Sequence, residues 1–179
     1  MDDLASLEEL CRGRDETPAE VRRLIEAGQL PSASAVGPDG AGLFPRAYFA
    51  LLDEAGSVEG VRTRFEARYV VAADTYGAVA GPDELDDAWD DYLAGIYGAR
   101  YLDPEPESAI RATRLAEAVE RLLAEPAPGD WRWCDRLRGR VDALAATLRP
   151  GAPSEDGEPS AYERWVTAPR RDYPGAFRS

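Results

Sequence analysis

The stretch from Thr17 to Pro31, TPAEVRRLIEAGQLP, carries signals for both ends of a helix. Thr17 suits the N-cap, Pro18 suits the first helical position, and Glu20 completes a capping box with Thr17. At the other end Gly28 is typical of a helix C-terminus, and Pro31 prevents the helix from continuing. The stretch therefore predicts a short amphipathic helix, whose buried face consists of Val21, Leu24 and Ile25.

The sequences on both sides of this helix predict a small mixed module over residues 1–56. Residues 4–11, LASLEELC, predict a preceding helix. Residues 34–44 contain a turn-forming Pro-Asp-Gly between apolar residues, which predicts a β-hairpin. Residues 45–56, PRAYFALLDEAG, predict a third helix that ends at Gly56. Helix, helix, hairpin, helix is the order of a winged helix-turn-helix module.

This segment resembles the N-terminal DNA-binding unit of MerR-like and excisionase-like proteins, in which the recognition helix ends in Gly-x-Leu-Pro, as VRRLIEAGQLP does here. The resemblance implies a winged-helix fold. Residues 1–56 hold eleven acidic residues against five arginines. Phosphate contacts need clustered cations, so we expect a structural or protein-docking module, and DNA binding is the third hypothesis for function.

The rest of the chain predicts a helical domain over residues 57–149 and a tail over residues 150–179. Apolar periodicity predicts helices over residues 57–80, 82–102, 107–125 and 131–149, separated by Gly-Pro and Pro-rich breaks. The tail predicts a linker followed by an aromatic helical segment that packs on the core. The fold class expected is thus mostly α, with about seven or eight helices and one hairpin.

Residues 86–92, DDAWDDY, allow two interpretations. Aspartate-rich helices hold magnesium and diphosphate in terpene and prenyl synthases, but the chain has no second metal motif, no Asn and no Lys. The alternative is the solvated side of a helix whose buried stripe is Leu85, Trp89, Tyr92, Leu93, Ile96 and Tyr97. We favour the second interpretation and expect no metal and no cofactor. Asp86, at the edge of the stripe, is expected to be partly buried.

The amino-acid composition limits which catalytic groups and binding partners the chain can have. The chain has 179 residues, a formal charge of −13, no Lys, Asn or His, and 21 arginines, a bias typical of GC-rich actinobacterial genomes. Without His the commonest general base and metal ligand are missing. The acidic balance disfavours nucleic acid and anionic membranes as partners. An acidic N-terminus without a signal peptide, and two cysteines far apart, predict a cytoplasmic protein.

Four further segments carry a resemblance that spans nearly the whole chain: FPRAYFALLDEAG at residue 44, YLAGIYG at 92, RLAEAVERLLAEP at 114 and PSAYERWVTAPRRDYP at 159. The chain resembles an actinobacterial family of natural-product biosynthesis proteins of unknown function. The resemblance implies a role in making an amino-acid-derived natural product, such as an antibiotic. It also implies a complex with a second pathway protein, as in two-component aziridine formation with loss of sulfate or phosphate.

Two main hypotheses follow for the function. In the first, the chain is a non-catalytic or co-catalytic partner protein that binds through Asp87, Asp90, Asp91 and Trp165. In the second, it is a stand-alone enzyme, with Asp86 and Tyr97 as catalytic residues and Glu107 as an alternative base. The substrate-binding residues expected for that enzyme are Tyr92, Arg100, Arg111, Arg114 and Trp131, because arginine suits an oxyanion leaving group.

Overall fold

The computed structural model describes residues 4–152 and 158–178. The chain divides into two compact units, Met1–Ser108 and Ala109–Ser179, whereas the sequence predicts boundaries at residues 56 and 149. The described part of the chain is mostly helical, with one small three-stranded antiparallel sheet. No described helix combines the length and the apolar character that crossing a membrane requires.

The sheet of the first unit has the strand order β1-β3-β2. Strands β2 (Ala35–Val36) and β3 (Gly42–Pro45) form the predicted hairpin, with Ala35 opposite Leu43. Strand β1 (Leu4–Ala5) pairs with the other edge of β3, so the helix predicted from residue 4 is wrong in its first turn. Ser6 instead caps helix α1 (Leu7–Leu10) through a capping box with Glu9.

Helix α2 (Pro18–Glu26) begins with the capping box predicted from Thr17 and Glu20. Helix α3 (Ala50–Ala55) starts five residues later than predicted, because Pro45 belongs to β3 and a turn follows it. Gly56 ends α3 in a left-handed conformation, with φ +72°. The predicted helix ends are therefore correct where a capping side chain or a glycine marks them in the sequence.

Helix α4 (Val61–Thr75) follows a 3-10 turn at Val58–Gly60, which Ser57 caps. The predicted extension to residue 80 is wrong. The chain leaves the helix at Gly77, with φ +70°, and the N–H of Ala78 bonds back to the carbonyl of Ala73 at 2.8 Å. Residues 76–80 therefore form a loop that leads into the next helix.

The helix predicted over residues 82–102 is broken into α5 (Pro82–Leu93) and α6 (Ile96–Arg100). The break lies at Gly95, whose φ is +79°. A Cβ atom on Gly95 would lie 2.6 Å from the carbonyl oxygen of Ser32 and 2.7 Å from that of Ala33. Only glycine allows the backbone of α5 and α6 to approach this loop so closely.

Helix α7 (Pro106–Ala124) begins in the last residues of the first unit and continues into the second. Asp130 caps helix α8 (Trp131–Ala145). A π-helical turn (Glu163–Thr167), helix α9 (Ala168–Asp172) and a 3-10 turn (Pro174–Phe177) complete the chain. The tail packs on α8, where the Trp133 and Tyr173 ring centroids are 5.2 Å apart. Part of the predicted linker, residues 153–157, lies outside the described residues.

Candidate functional site

Two of the predicted site residues, Tyr92 and Tyr97, meet in the core of the first unit. Their ring centroids are 5.8 Å apart, and both pack around Phe65, which is fully buried. Desolvation raises the pKa of both phenols above its ordinary value. Because a tyrosine must ionise to act as a base, this environment makes Tyr97 poorly suited to abstract a proton.

A small cavity lies beside these tyrosines. Its volume is about 20 Å³, and its walls include Pro31, Tyr48, Arg68, Tyr92, Tyr97 and Glu105. A space of that size holds about one water molecule. The Tyr48 hydroxyl donates a hydrogen bond of 2.7 Å to the carbonyl of Pro31 and holds one wall in place. An amino-acid-derived metabolite does not fit this cavity as the residues stand.

Arg68, on α4, contacts three glutamates of the first unit. Its guanidinium donates two hydrogen bonds, of 2.7 and 2.8 Å, to the carboxylate of Glu107 and one of 2.9 Å to Glu54. Glu105 lies 3.1 Å away, and the Arg68 side chain is only 15% exposed. These carboxylates, Glu107 first, raise the pKa of Arg68. Arg68 thus ties α3 and the start of α7 to α4, and its donors are occupied by carboxylates.

The acidic residues of α5 lie at the surface. Asp86 is ion-paired with Arg62 and its side chain is 64% exposed, so the prediction that it is partly buried is wrong. Asp87 and Asp90 are also exposed, and Asp91 is the half-buried one. Arg62, the partner of Asp86 on α4, is 49% exposed, so this ion pair lies at the surface. In the described residues no three Cys, Asp or Glu side chains converge on a position for a metal ion.

The other predicted binding residues differ in burial and in their contacts. Arg100 is half-buried and has a contact partner, whereas Arg111 is exposed. Arg114 bonds to Glu117 at 3.0 Å. Trp131 is 71% exposed, with the Arg132 guanidinium 5.5 Å from its ring centroid. Trp165 is half-buried beneath Arg164, at 4.9 Å.

A feature that the sequence analysis missed is an exposed apolar surface between residues 70 and 79. Six large hydrophobic residues are exposed in the described parts of the chain, and four of them fall in these ten positions: Val70 (44%), Val71 (66%), Tyr76 (42%) and Val79 (93%). Helical spacing from Val61 through Phe65 and Tyr69 predicts that Val70 is buried with them, and this prediction is wrong. Helix α4 carries apolar residues on both faces, and Phe65 and Tyr69 occupy the buried one. We call these four residues the 70–79 surface.

Charge is distributed unequally along the chain. Met1–Ser108 contains nine arginines and 23 acidic residues, a net charge of −14, whereas Ala109–Ser179 contains twelve arginines and eleven acidic residues, a net charge of +1. The acidity of the protein is therefore a property of the first unit, which also carries the 70–79 surface.

The profile of a family of unknown function, DUF6058, matches residues 61–174. The chain belongs to the DUF6058 family. The match begins at the first residue of α4 and extends to Pro174, so the DUF6058 region contains the 70–79 surface, the acidic face of α5 and helix α8. It leaves out the sheet and helices α1 to α3. No curated protein and no solved structure matches the chain.

Proposed function

We propose that this DUF6058 protein is a non-catalytic or co-catalytic partner of a second, different protein in the biosynthesis of an amino-acid-derived natural product. The observation that carries the proposal is the 70–79 surface. Exposed apolar residues are ordinary when scattered, but clusters mark interaction sites in soluble proteins. A helix with apolar residues on both faces is typical of a helix that is covered on both sides.

The chemistry of the partner follows from the charges around this surface. Asp74 lies within it, and the chain continues directly into the first turn of α5, where Asp83 and Glu84 are exposed. With a net charge of −14 on this unit, two copies of the same surface repel each other. The expected occupant is therefore another protein, with an apolar anchor at its centre and a basic rim that faces Asp87, Asp90 and Asp91.

The stand-alone enzyme is supported less well. Its aromatic residues Tyr92 and Tyr97 pack in the core beside a cavity of about 20 Å³, and Arg68 is engaged by three glutamates. In the proposed complex the reacting groups come from the partner or from a pocket that both proteins form. The reaction class we propose is ring closure by an amine with loss of sulfate or phosphate, as in aziridine formation.

We further propose that the N-terminal module is winged-helix-like and has a structural role instead of a DNA-binding one. The order β1-α1-α2-β2-β3-α3 supports the fold assignment. The two arginines of α2 support the assignment of function, because Arg22 is paired with Glu8 and Arg23 lies 4.0 Å from Glu20. Arginines bonded to carboxylates contribute little to phosphate binding. We also propose that the protein is cytoplasmic and comes from an actinobacterium.

Native mass spectrometry tests the partner function. The chain is co-expressed with the products of its neighbouring genes, one at a time, and we expect a stable complex with one of them. Val71→Arg places a charge in the 70–79 surface and should weaken that complex tenfold or more, roughly 1.4 kcal/mol. Val36→Arg is the matched control, because Val36 is 72% exposed and Val71 66%, and Val36 lies on the hairpin.

Two outcomes contradict the proposal. One is a protein that stays without a partner alongside every neighbouring gene product. The other is a complex that Val71→Arg and Val36→Arg weaken equally, which would place the interface elsewhere. The first outcome would direct attention to the enzyme alternative, tested by substituting Tyr97 and Asp86 in an activity assay.

A further inference from the structure

Helix α8 of the second unit carries a row of arginines along one exposed side. Arg132, Arg136 and Arg140 are spaced by four residues and are all exposed. At 1.5 Å of rise per residue, the row is about 12 Å long. Trp131 stands exposed at its N-terminal end, beside the guanidinium of Arg132. We call these three arginines the arginine row.

None of the three arginines bonds a carboxylate within the described residues. Arg136 donates only to the backbone carbonyl of Arg132, at 3.3 Å. The acidic residues of the same helix are bonded elsewhere, since Asp135 accepts from Arg138 at 2.8 Å and Asp142 accepts from Arg170 at 2.8 Å. Like charges four residues apart on a helix repel each other. Within the described residues the row is therefore a run of like charge, suited to an anionic binding partner.

The first unit carries a row of opposite charge at a similar spacing. Asp83, Asp87 and Asp90 are exposed along α5, and they extend over about 10 Å. None of the three has an ion pair with an arginine in the described residues. The acidic row also belongs to the unit with net charge −14, whereas the arginine row belongs to the unit with net charge +1.

We propose that the arginine row binds the Asp83–Asp87–Asp90 face of a second copy of this chain. The match of sign and spacing favours this occupant over a nucleic acid, which the acidic unit of the same chain would repel. The two faces differ, so two copies can pair reciprocally in a symmetric dimer or link head-to-tail, and in both cases the association increases with concentration. Because both faces are exposed to water, the association depends strongly on ionic strength.

Sedimentation velocity of the full chain, without any partner protein, tests the inference. At low salt, about 20 mM, the average sedimentation coefficient should rise with protein concentration, and at about 500 mM salt it should stay constant. Arg136→Glu and Asp87→Arg should each abolish the rise at low salt. Arg171→Glu changes the net charge as Arg136→Glu does, but in an exposed residue paired with Asp172, and it should preserve the rise.

An equal mixture of the Arg136→Glu and Asp87→Arg proteins distinguishes this interface from a general charge effect. Each protein retains the face that the other has lost, so the mixture should associate although neither variant does alone. A single monomeric species at every concentration in low salt overturns the inference, as does a mixture that fails to associate. If the wild-type chain stays monomeric but binds a short DNA duplex through Arg136, a nucleic acid replaces the second copy as occupant. The proposed partner protein would compete with a second copy for Asp87 and Asp90, and the experiment leaves that partner out, so a failure here does not bear on the proposed function.

Discussion

Replacing Arg68 by methionine should destabilise the first unit strongly for a single substitution. Methionine keeps much of the aliphatic stem but removes the guanidinium that bonds Glu107, Glu54 and Glu105. An exposed ion pair contributes up to about 1 kcal/mol, and breaking a buried one costs about 3–5 kcal/mol. Arg68 is 15% exposed, while its partners are 28–44% exposed. The expected loss is therefore intermediate, about 2–3 kcal/mol.

Urea unfolding, followed by circular dichroism, measures this loss. With a slope of about 2 kcal/mol per molar urea, the midpoint should fall by about 1–1.5 M. The control is Arg64→Met on the same helix, which bonds the same Glu54 at 2.9 Å but is 48% exposed. It should lose less than about 1 kcal/mol. Hydrogen exchange should show faster opening of α3 and α4 in the Arg68 variant.

The comparison between the two variants decides the question. If Arg68→Met loses no more stability than Arg64→Met, then partial burial does not strengthen the bonds of Arg68, and the reasoning fails. High salt adds a second check, because it should reduce the effect of Arg64→Met more than that of Arg68→Met.

Three further predictions concern backbone, hydrogen bonding and pH. Gly95→Ala should lower the free energy of unfolding by about 2 kcal/mol or more, because the added Cβ meets two carbonyl oxygens. Gly139→Ala, in open space on α8, is the control and should raise it by about 0.5–1 kcal/mol. Thermal denaturation measures both changes. Tyr48→Phe should cost about 1–2 kcal/mol, measured in the same way, since it leaves the buried carbonyl of Pro31 without its donor. Arg14 lowers the pKa of the Glu16 and Asp53 carboxyls. The stability that these ion pairs provide is therefore present above the ordinary pKa values of the two carboxyls and is lost as pH falls through the lowered values. In acid titration, the free energy of unfolding of Arg14→Gln should fall less steeply below about pH 5 than that of the wild type.

The parts of the fold that were predictable are those with local causes. Helix α2 begins and ends at residues whose side chains or backbone set the cap, and those residues are visible in the sequence. Strand β1 was missed because Leu4 and Ala5 become a strand only by pairing with Pro45 and Phe44 of β3, far along the chain. Gly95 was missed for the same reason, since the carbonyls that require glycine come from the loop near Ser32.

The candidate site residues, like the fold, were predictable where the cause lies nearby in the sequence and were missed where the partner lies far along the chain. The apolar stripe of α5 predicted that Trp89 and Tyr92 are buried, and they are. The carboxylate that bonds Arg68 most closely lies 39 residues further along the chain, so spacing within α4 gave no indication of it. Val70 follows Tyr69 directly, and periodicity alone does not tell which of two adjacent apolar residues faces water.

The π-helical turn at Glu163–Thr167 has a consequence for how relatives of this chain can differ in length. In this turn the N–H of Ala168 bonds the carbonyl of Glu163, five residues back, where an α-helix uses four. Pro169 follows and has no N–H to continue the pattern. A homologue with one residue fewer in this window would form an ordinary α-helical turn and keep the Val166 side of the tail against α8. Single-residue gaps in an alignment of the family should therefore concentrate here, and they would record an insertion that the fold has tolerated.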